Sequence, residues 1–206
     1  MRIGEAQIRQ SAVFFSGEGD AWYLRNKDAN MNPKVIAAIT GIEHRPQVIV
    51  EVGCGDGRYL NEMQKHYQCN CIGYDPSSLA IHDGRLLYPN LDLRLGTARA
   101  FHGLQVDMLV FGFCLYLVDR EDLFALVHDV DWSLRAGGYM VIHDFDPEYP
   151  QKVPYHHREG VFSYKMDYPK LWLANPVYEL VTKIITREGE AITIIRKGSW
   201  NKWQSI

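Results

Sequence analysis

No stretch of this chain stays apolar long enough to cross a membrane. A spanning helix needs about 20 consecutive apolar residues, and no run approaches that length. Lys and Arg are nowhere clustered, and the formal net charge is −3. The composition therefore gives no sign of a phosphate-neutralising face for nucleic acid, short of a local basic patch. Cysteine is sparse: Cys54, Cys69, Cys71 and Cys114 are all there are. None has zinc-ligand spacing, so no metal is expected. Cys69 and Cys71 are one residue too close for a redox pair and point to one face of a strand. Reduced core thiols suit a cytoplasmic protein. Residues 1–7 lack the apolar block of a signal peptide. Internal repeats, low-complexity tracts and linkers are also missing.

The informative stretch is Gln47-Val48-Ile49-Val50-Glu51-Val52-Gly53-Cys54-Gly55-Asp56-Gly57. Its β-branched run reads as a buried strand. Gly53, Gly55 and Gly57 let the backbone turn and approach a ligand closely. Residues 58–67 follow as a helix. Strand, glycine loop and helix open a doubly wound nucleotide-binding sheet. The dinucleotide fingerprint wants glycine where Arg58 stands. Glu51, at the strand end, would repel a pyrophosphate and attract a ligand carrying an ammonium and a sulfonium. At about 4 Å and an effective dielectric near 20, such a pair is worth roughly 4 kcal/mol before desolvation. S-adenosylmethionine (SAM) has that charge pattern and no phosphate. Residues 69–75 read as the second strand. It ends in Asp75, where a ribose-binding carboxylate belongs.

On Glu51-x-Gly53-x-Gly55-x-Gly57, Asp75 and two later strand ends, residues 47–145 resemble the class I SAM-dependent methyltransferases. Residues 14–27, 153–160 and 165–168 are similar to small bacterial methylases of pseudaminic acid and surface-glycan clusters. The resemblance implies one Rossmann-like α/β domain over residues 1–206, with a mostly parallel sheet, an antiparallel carboxy-terminal hairpin and a helical cap over 1–45. It implies SAM contacts from Glu51, Gly53, Cys54, Gly55, Gly57, Asp75, Pro76, Thr97, Ala98, Phe111 and Gly112. Thr97 stands where many relatives carry an acid, and a plain turn is the competing reading there. Trp22, Tyr23, Arg25 and Asn26 read either as lid residues over the cofactor or as packing on the sheet.

The remaining expectations are local. Asp20 should cap a helix carrying Trp22, Tyr23 and Leu24. Asn32-Pro33 should open a helix over 34–42 with Val35, Ile36 and Ile39 inward. Helices are expected over 79–87 and from Asp119, as cap, to Ser133. Strands are expected over 91–95, 106–113 and 139–145, the last after a glycine turn, Arg135-Ala136-Gly137-Gly138. One of Phe111 and Phe113 should be core. Residues 146–160, with three prolines and no periodicity, read as a functional loop. A short helix over 171–173 and a hairpin around Glu188-Gly189-Glu190 complete the chain.

Methyl transfer needs positioning more than a base, roughly 7–11 kcal/mol against about 10²–10⁴-fold. His143 is the first candidate base, with Asp144 orienting it or binding substrate and His156 after them. For His143 a histidine satisfied at a strand end is the competing reading. The activity expected is methylation of oxygen or nitrogen on a small molecule, with sugars and sugar nucleotides among the candidates. The chain would act as a monomer or homodimer, with no nucleic acid and no membrane as partner. An NAD-dependent oxidoreductase on a similar sheet and a non-catalytic SAM-binding protein are the alternatives.

Overall fold

The computed structural model describes residues 9–200; the signal-peptide reading of residues 1–7 lies outside them. The chain builds a seven-stranded sheet in the order β3-β2-β1-β4-β5-β9-β8. Its strands are β1 (Val48–Val52), β2 (Asn70–Asp75), β3 (Asp92–Leu95), β4 (Val106–Gly112), β5 (Leu134–Phe145), β8 (Tyr178–Arg187) and β9 (Glu190–Lys197). The first five run parallel, and β9 enters antiparallel between β5 and β8. Helices α1 (Gln10–Val13), α2 (Gly19–Asn26), α3 (Pro33–Thr40), α4 (Arg58–Tyr67), α5 (Ser78–Leu87), α6 (Leu123–Ser133) and α7 (Lys170–Leu173) complete it. A π-helical turn, Phe14–Glu18, links α1 to α2. This is the α/β architecture expected, with its antiparallel closing hairpin.

The sheet divides the core by strand alternation. Ile49 packs with α3 and α4 on one face, in a cluster with Val110, Val141 and Ile192. Val50 and Val52 pack on the other face with Phe111, Leu126, Val130 and Trp172. Leu60 and Met63 of α4 are fully buried, each worth about 1.5–3 kcal/mol. The switch in strand order lies between β1 and β4, and a crevice opens there at the carboxyl ends.

Several local expectations are corrected. Asp20 does not cap α2; its carboxylate crosses to α5, accepting from Ser77 Oγ at 2.7 Å, Ser78 Oγ at 3.1 Å and the Leu79 amide at 3.0 Å. Asp119 does not cap α6, which starts at Leu123. It accepts the amides of Gln10 and Ser11, 2.7 and 3.1 Å away, and so holds the start of α1. The loop over 146–160 contains β6 (Gln151–Pro154), paired antiparallel with β7 (Phe162–Lys165). The glycines before the fifth strand lie within β5, where the pairing with β4 slips between Val106 and Met108. α3 ends at Thr40, with Ala38 and not Ile36 joining Val35 and Ile39 in the core.

Candidate functional site

The crevice has two lobes, one over each sheet face, and Trp22, Gly53, Gly112 and Phe113 line both. The first lobe lies among Val52, Asp75, Pro76, Thr97, Ala98 and Tyr116. The second lies among Glu51, Cys54, Gly55, Tyr59, His143 and Arg187. At about 470 Å³ the second lobe alone has the size of a small-molecule site, roughly 300–1,000 Å³.

The loop after β1 is shaped by its neighbours. Gly53 has φ +72°, and a Cβ there would come within 2.8 Å of the Cys114 Cβ. Gly112 faces it across the switch point, where a Cβ would stand 2.9 Å from the Gly53 carbonyl and 3.0 Å from Glu51 Oε1. Neither position has room for a side chain, so bare backbone borders both lobes there. Asp75 braces the loop, accepting the Gly55 amide at 2.9 Å and the Ser77 amide at 2.8 Å. Burial outweighs those amides and pushes its carboxyl up to about 6.

Glu51 is the most unusual group. It is 2 % exposed, and its Oε2 has no hydrogen-bond partner among the described residues. Burial, with the charges of Asp75 and Asp56 beside it, raises its pKa well above the carboxylate range. Unpaired buried carboxyls are costly and call for a partner. Arg58 does not supply one. Its guanidinium binds Asp56 and the carbonyls of Lys27 and Ala29, tying the glycine loop to the segment after α2.

His143 also faces the second lobe, its ring 5.1 Å from that of Phe113. Its Nε2 is buried and without a partner among the described residues. Burial, helped by the Arg187 charge, lowers its pKa to about 4, which keeps the ring neutral at pH 7. Asp144 does not join it. Consecutive strand residues face opposite ways, and its carboxylate accepts the amides of Leu115 and Phe145, each at 2.8 Å. Burial pushes that carboxyl up to about 7, and Asp144 lines neither lobe. His156 is exposed, between β6 and β7, away from both lobes. Both are corrected as site residues on these grounds.

Tyr23 and Asn26 line the second lobe, and Pro76, Thr97 and Ala98 the first. Phe111 is fully buried, stacked on Trp172 at 6.0 Å, and lines neither lobe. Phe113 is the aromatic residue at the crevice, held at φ +58° with its amide donating to the His143 carbonyl at 2.9 Å. Gly57 lies outside both lobes, against Leu91 and Leu93. Arg25 binds Glu18, which also accepts from Tyr155 Oη at 3.0 Å, so β6–β7 is clamped onto α2. No cluster of three or more His, Cys, Asp or Glu among the described residues is placed to hold a metal. No helix among them is long and apolar enough to cross a membrane.

Sequence reasoning missed Arg187 and Glu190, which line the second lobe from the β8–β9 turn. β8 runs parallel to β5, so that turn lies at the same edge as the glycine loop. The arrangement can seat a cationic group against Glu51, hydroxyls beside Asp75 and a proton-bearing group beside His143.

Residues 49–138 match the model of the methyltransferase domain family. That segment holds the glycine loop, Asp75 and β4. No curated protein matches the chain's sequence. Around the methyltransferase-domain match the whole fold is similar to 1,6-didemethyltoxoflavin-N1-methyltransferase of Burkholderia thailandensis, solved with 1,6-didemethyltoxoflavin and S-adenosylhomocysteine. The TM-score is 0.72 at 14 % identity, over 97 % of this chain and 94 % of that one. It is also similar to DhpI in its SAH complex, at TM-score 0.63 and 17 % identity, over 92 % and 96 % of the two chains. TehB from Haemophilus influenzae gives 0.63 at 16 % identity, over 87 % and 67 %. At such identities the likeness is one of fold.

Proposed function

We propose that this chain is a SAM-dependent methyltransferase acting on oxygen or nitrogen of a small molecule. The observation that carries the reading is Glu51, a buried carboxyl with one oxygen unpartnered among the described residues, at the switch point of a mostly parallel sheet. The residues present fit the cofactor. Glu51 would take its amino-acid cation, Asp75 its ribose hydroxyls, and Thr97 and Ala98 its adenine. When bound, SAM supplies a methyl group already activated on a sulfonium. The chain's own part is to bind, to orient the acceptor and to exclude water, where roughly 7–11 kcal/mol of the barrier is available. Neutral His143 would accept a hydrogen bond from the reacting O–H or N–H of the acceptor.

The methyltransferase-domain match over 49–138 supports this reading, as does a fold like that of the Burkholderia N1-methyltransferase. A dinucleotide is disfavoured, because its pyrophosphate would meet Glu51 beside the glycine loop, where Arg58 is already held by Asp56. A non-catalytic SAM sensor is disfavoured by the space between Glu51 and His143, Arg187 and Glu190. A sugar or sugar-nucleotide acceptor is supported by the likeness of residues 14–27 and 153–160 to glycan-cluster methylases.

Calorimetry with SAM and S-adenosylhomocysteine tests the cofactor. Heat should appear, and Glu51→Ala should weaken it. No heat at millimolar ligand, or unchanged affinity in Glu51→Ala, overturns the reading. Methyl-labelled SAM with a metabolite extract should then label a small molecule; label on RNA or protein instead overturns the acceptor class.

A further inference from the structure

The second lobe holds more than Glu51 requires. One sheet face carries, in order across the strands, Glu51 on β1, Gly112 on β4, His143 on β5 and Glu190 on β9. Gly112 has no room for a side chain, since a Cβ there would press on Glu51 Oε1 and the Gly53 carbonyl, so its bare backbone borders the lobe. Paired with Gly112 on the next strand stands His143, whose Nε2 has no partner among the described residues. Beyond it are Arg187 and Glu190, facing each other across the β8–β9 turn.

Arg187 differs from the other arginine of this lobe. Arg58 spends Nε and both terminal nitrogens on Asp56, Ala29 and Lys27. Arg187 spends Nε alone, on the Glu190 carboxylate. Glu190 is 7 % exposed, whereas the Arg187 side chain is 71 % exposed. The buried acid therefore fixes one edge of the guanidinium, and the terminal fork has no partner among the described residues where Arg187 lines the mouth of the lobe. A fixed planar fork recognises carboxylate or phosphate through paired charge-assisted hydrogen bonds. It lies close enough to His143 for its charge to be felt at the imidazole.

We propose that the methyl acceptor is an anionic small molecule lying across Gly112. Its carboxylate or phosphate is held by the Arg187 fork, and its reactive O–H or N–H meets His143 Nε2. The assignment rests on the methyltransferase reading and adds the acceptor's charge and the residue that selects it. Val110, Val141 and Ile192 floor the same lobe, so the body between anion and nucleophile has an apolar face.

The test splits a small-molecule extract by anion exchange into retained and flow-through pools. Each is incubated with the protein and methyl-labelled SAM. Transfer is expected from the retained pool, and phosphatase treatment of that pool abolishes it for a phosphate and spares it for a carboxylate. Arg187→Gln should lower transfer at least tenfold and Arg187→Lys by less, with S-adenosylhomocysteine affinity held within twofold in both. Transfer from the flow-through pool, or equal transfer by wild type and Arg187→Gln, overturns the proposal and leaves the methyltransferase reading standing. No transfer from either pool, with S-adenosylhomocysteine bound, removes that reading and this one with it.

Discussion

Replacing Glu51 by Gln should make the ligand-free protein more stable and the ligand complex weaker. The side chain keeps its shape and can no longer ionise. In the wild type the carboxyl is buried, unpartnered at Oε2 and crowded by Asp75 and Asp56. Glu51 must take up a proton to be buried, which costs about 1.4 kcal/mol for each pH unit above the ordinary Glu value, and Gln needs none. In a chain of this size each kcal/mol moves the melting temperature by roughly 2–4 °C. The sign of the pH dependence follows from the raised folded-state pKa. Between the ordinary Glu value and the raised one, the folded state binds the proton that the unfolded state has lost. Glu51 therefore contributes stability at low pH that is lost as pH rises through its folded pKa. The advantage of Glu51→Gln should grow with pH over that window. For S-adenosylhomocysteine, an ammonium against the carboxylate is worth roughly 4 kcal/mol gross. A charged hydrogen bond nets about 1.5–3 kcal/mol, so the dissociation constant should rise about 10–150-fold. Differential scanning fluorimetry from pH 5 to 9 and titration calorimetry read both effects. A less stable ligand-free variant with unchanged affinity would refute the reasoning.

Gly53→Ala places a Cβ 2.8 Å from Cys114 at φ +72°. It should cost about 1–3 kcal/mol and weaken S-adenosylhomocysteine binding, and a melting point within 1 °C of wild type would contradict that. Tyr155→Phe removes the hydroxyl between Glu18 and Arg25. Hydrogen exchange in residues 10–26 should accelerate by about fivefold, for a net loss of about 1 kcal/mol; unchanged protection there would show that the clamp is idle. Asp144→Ala strands the amides of Leu115 and Phe145 and should lower stability by about 1–3 kcal/mol. His156→Ala, at an exposed site, should leave both melting point and methyl transfer unaltered, and a tenfold loss of transfer would restore it to the site.

The centre of the fold was legible because its signals are local. The β-branched run and three glycines placed β1, the loop and α4 to the residue. Long-range partners were not legible. Asp20 and Asp119 look like helix caps in the sequence, and each does meet amides at the start of a helix, but of one far along the chain. β6 was hidden because Pro147, Pro150 and Pro154 mask a strand of four residues. The pairing of His143 with Asp144 failed on strand alternation, which the sequence already contained. Arg187 and Glu190 could be placed only once β9 was known to run against β5, bringing their turn to the crevice.

Two concavities on opposite faces of one sheet communicate across a pair of side-chain-free positions, Gly53 and Gly112. That geometry favours a tethered inhibitor. A nucleoside fragment joined to an acidic fragment by a slim linker would occupy both chambers while surrendering rotational and translational freedom once. The linker would have to pass over the two glycines and not between them, because a carbon added at Gly112 would already lie 2.9 Å from the Gly53 carbonyl.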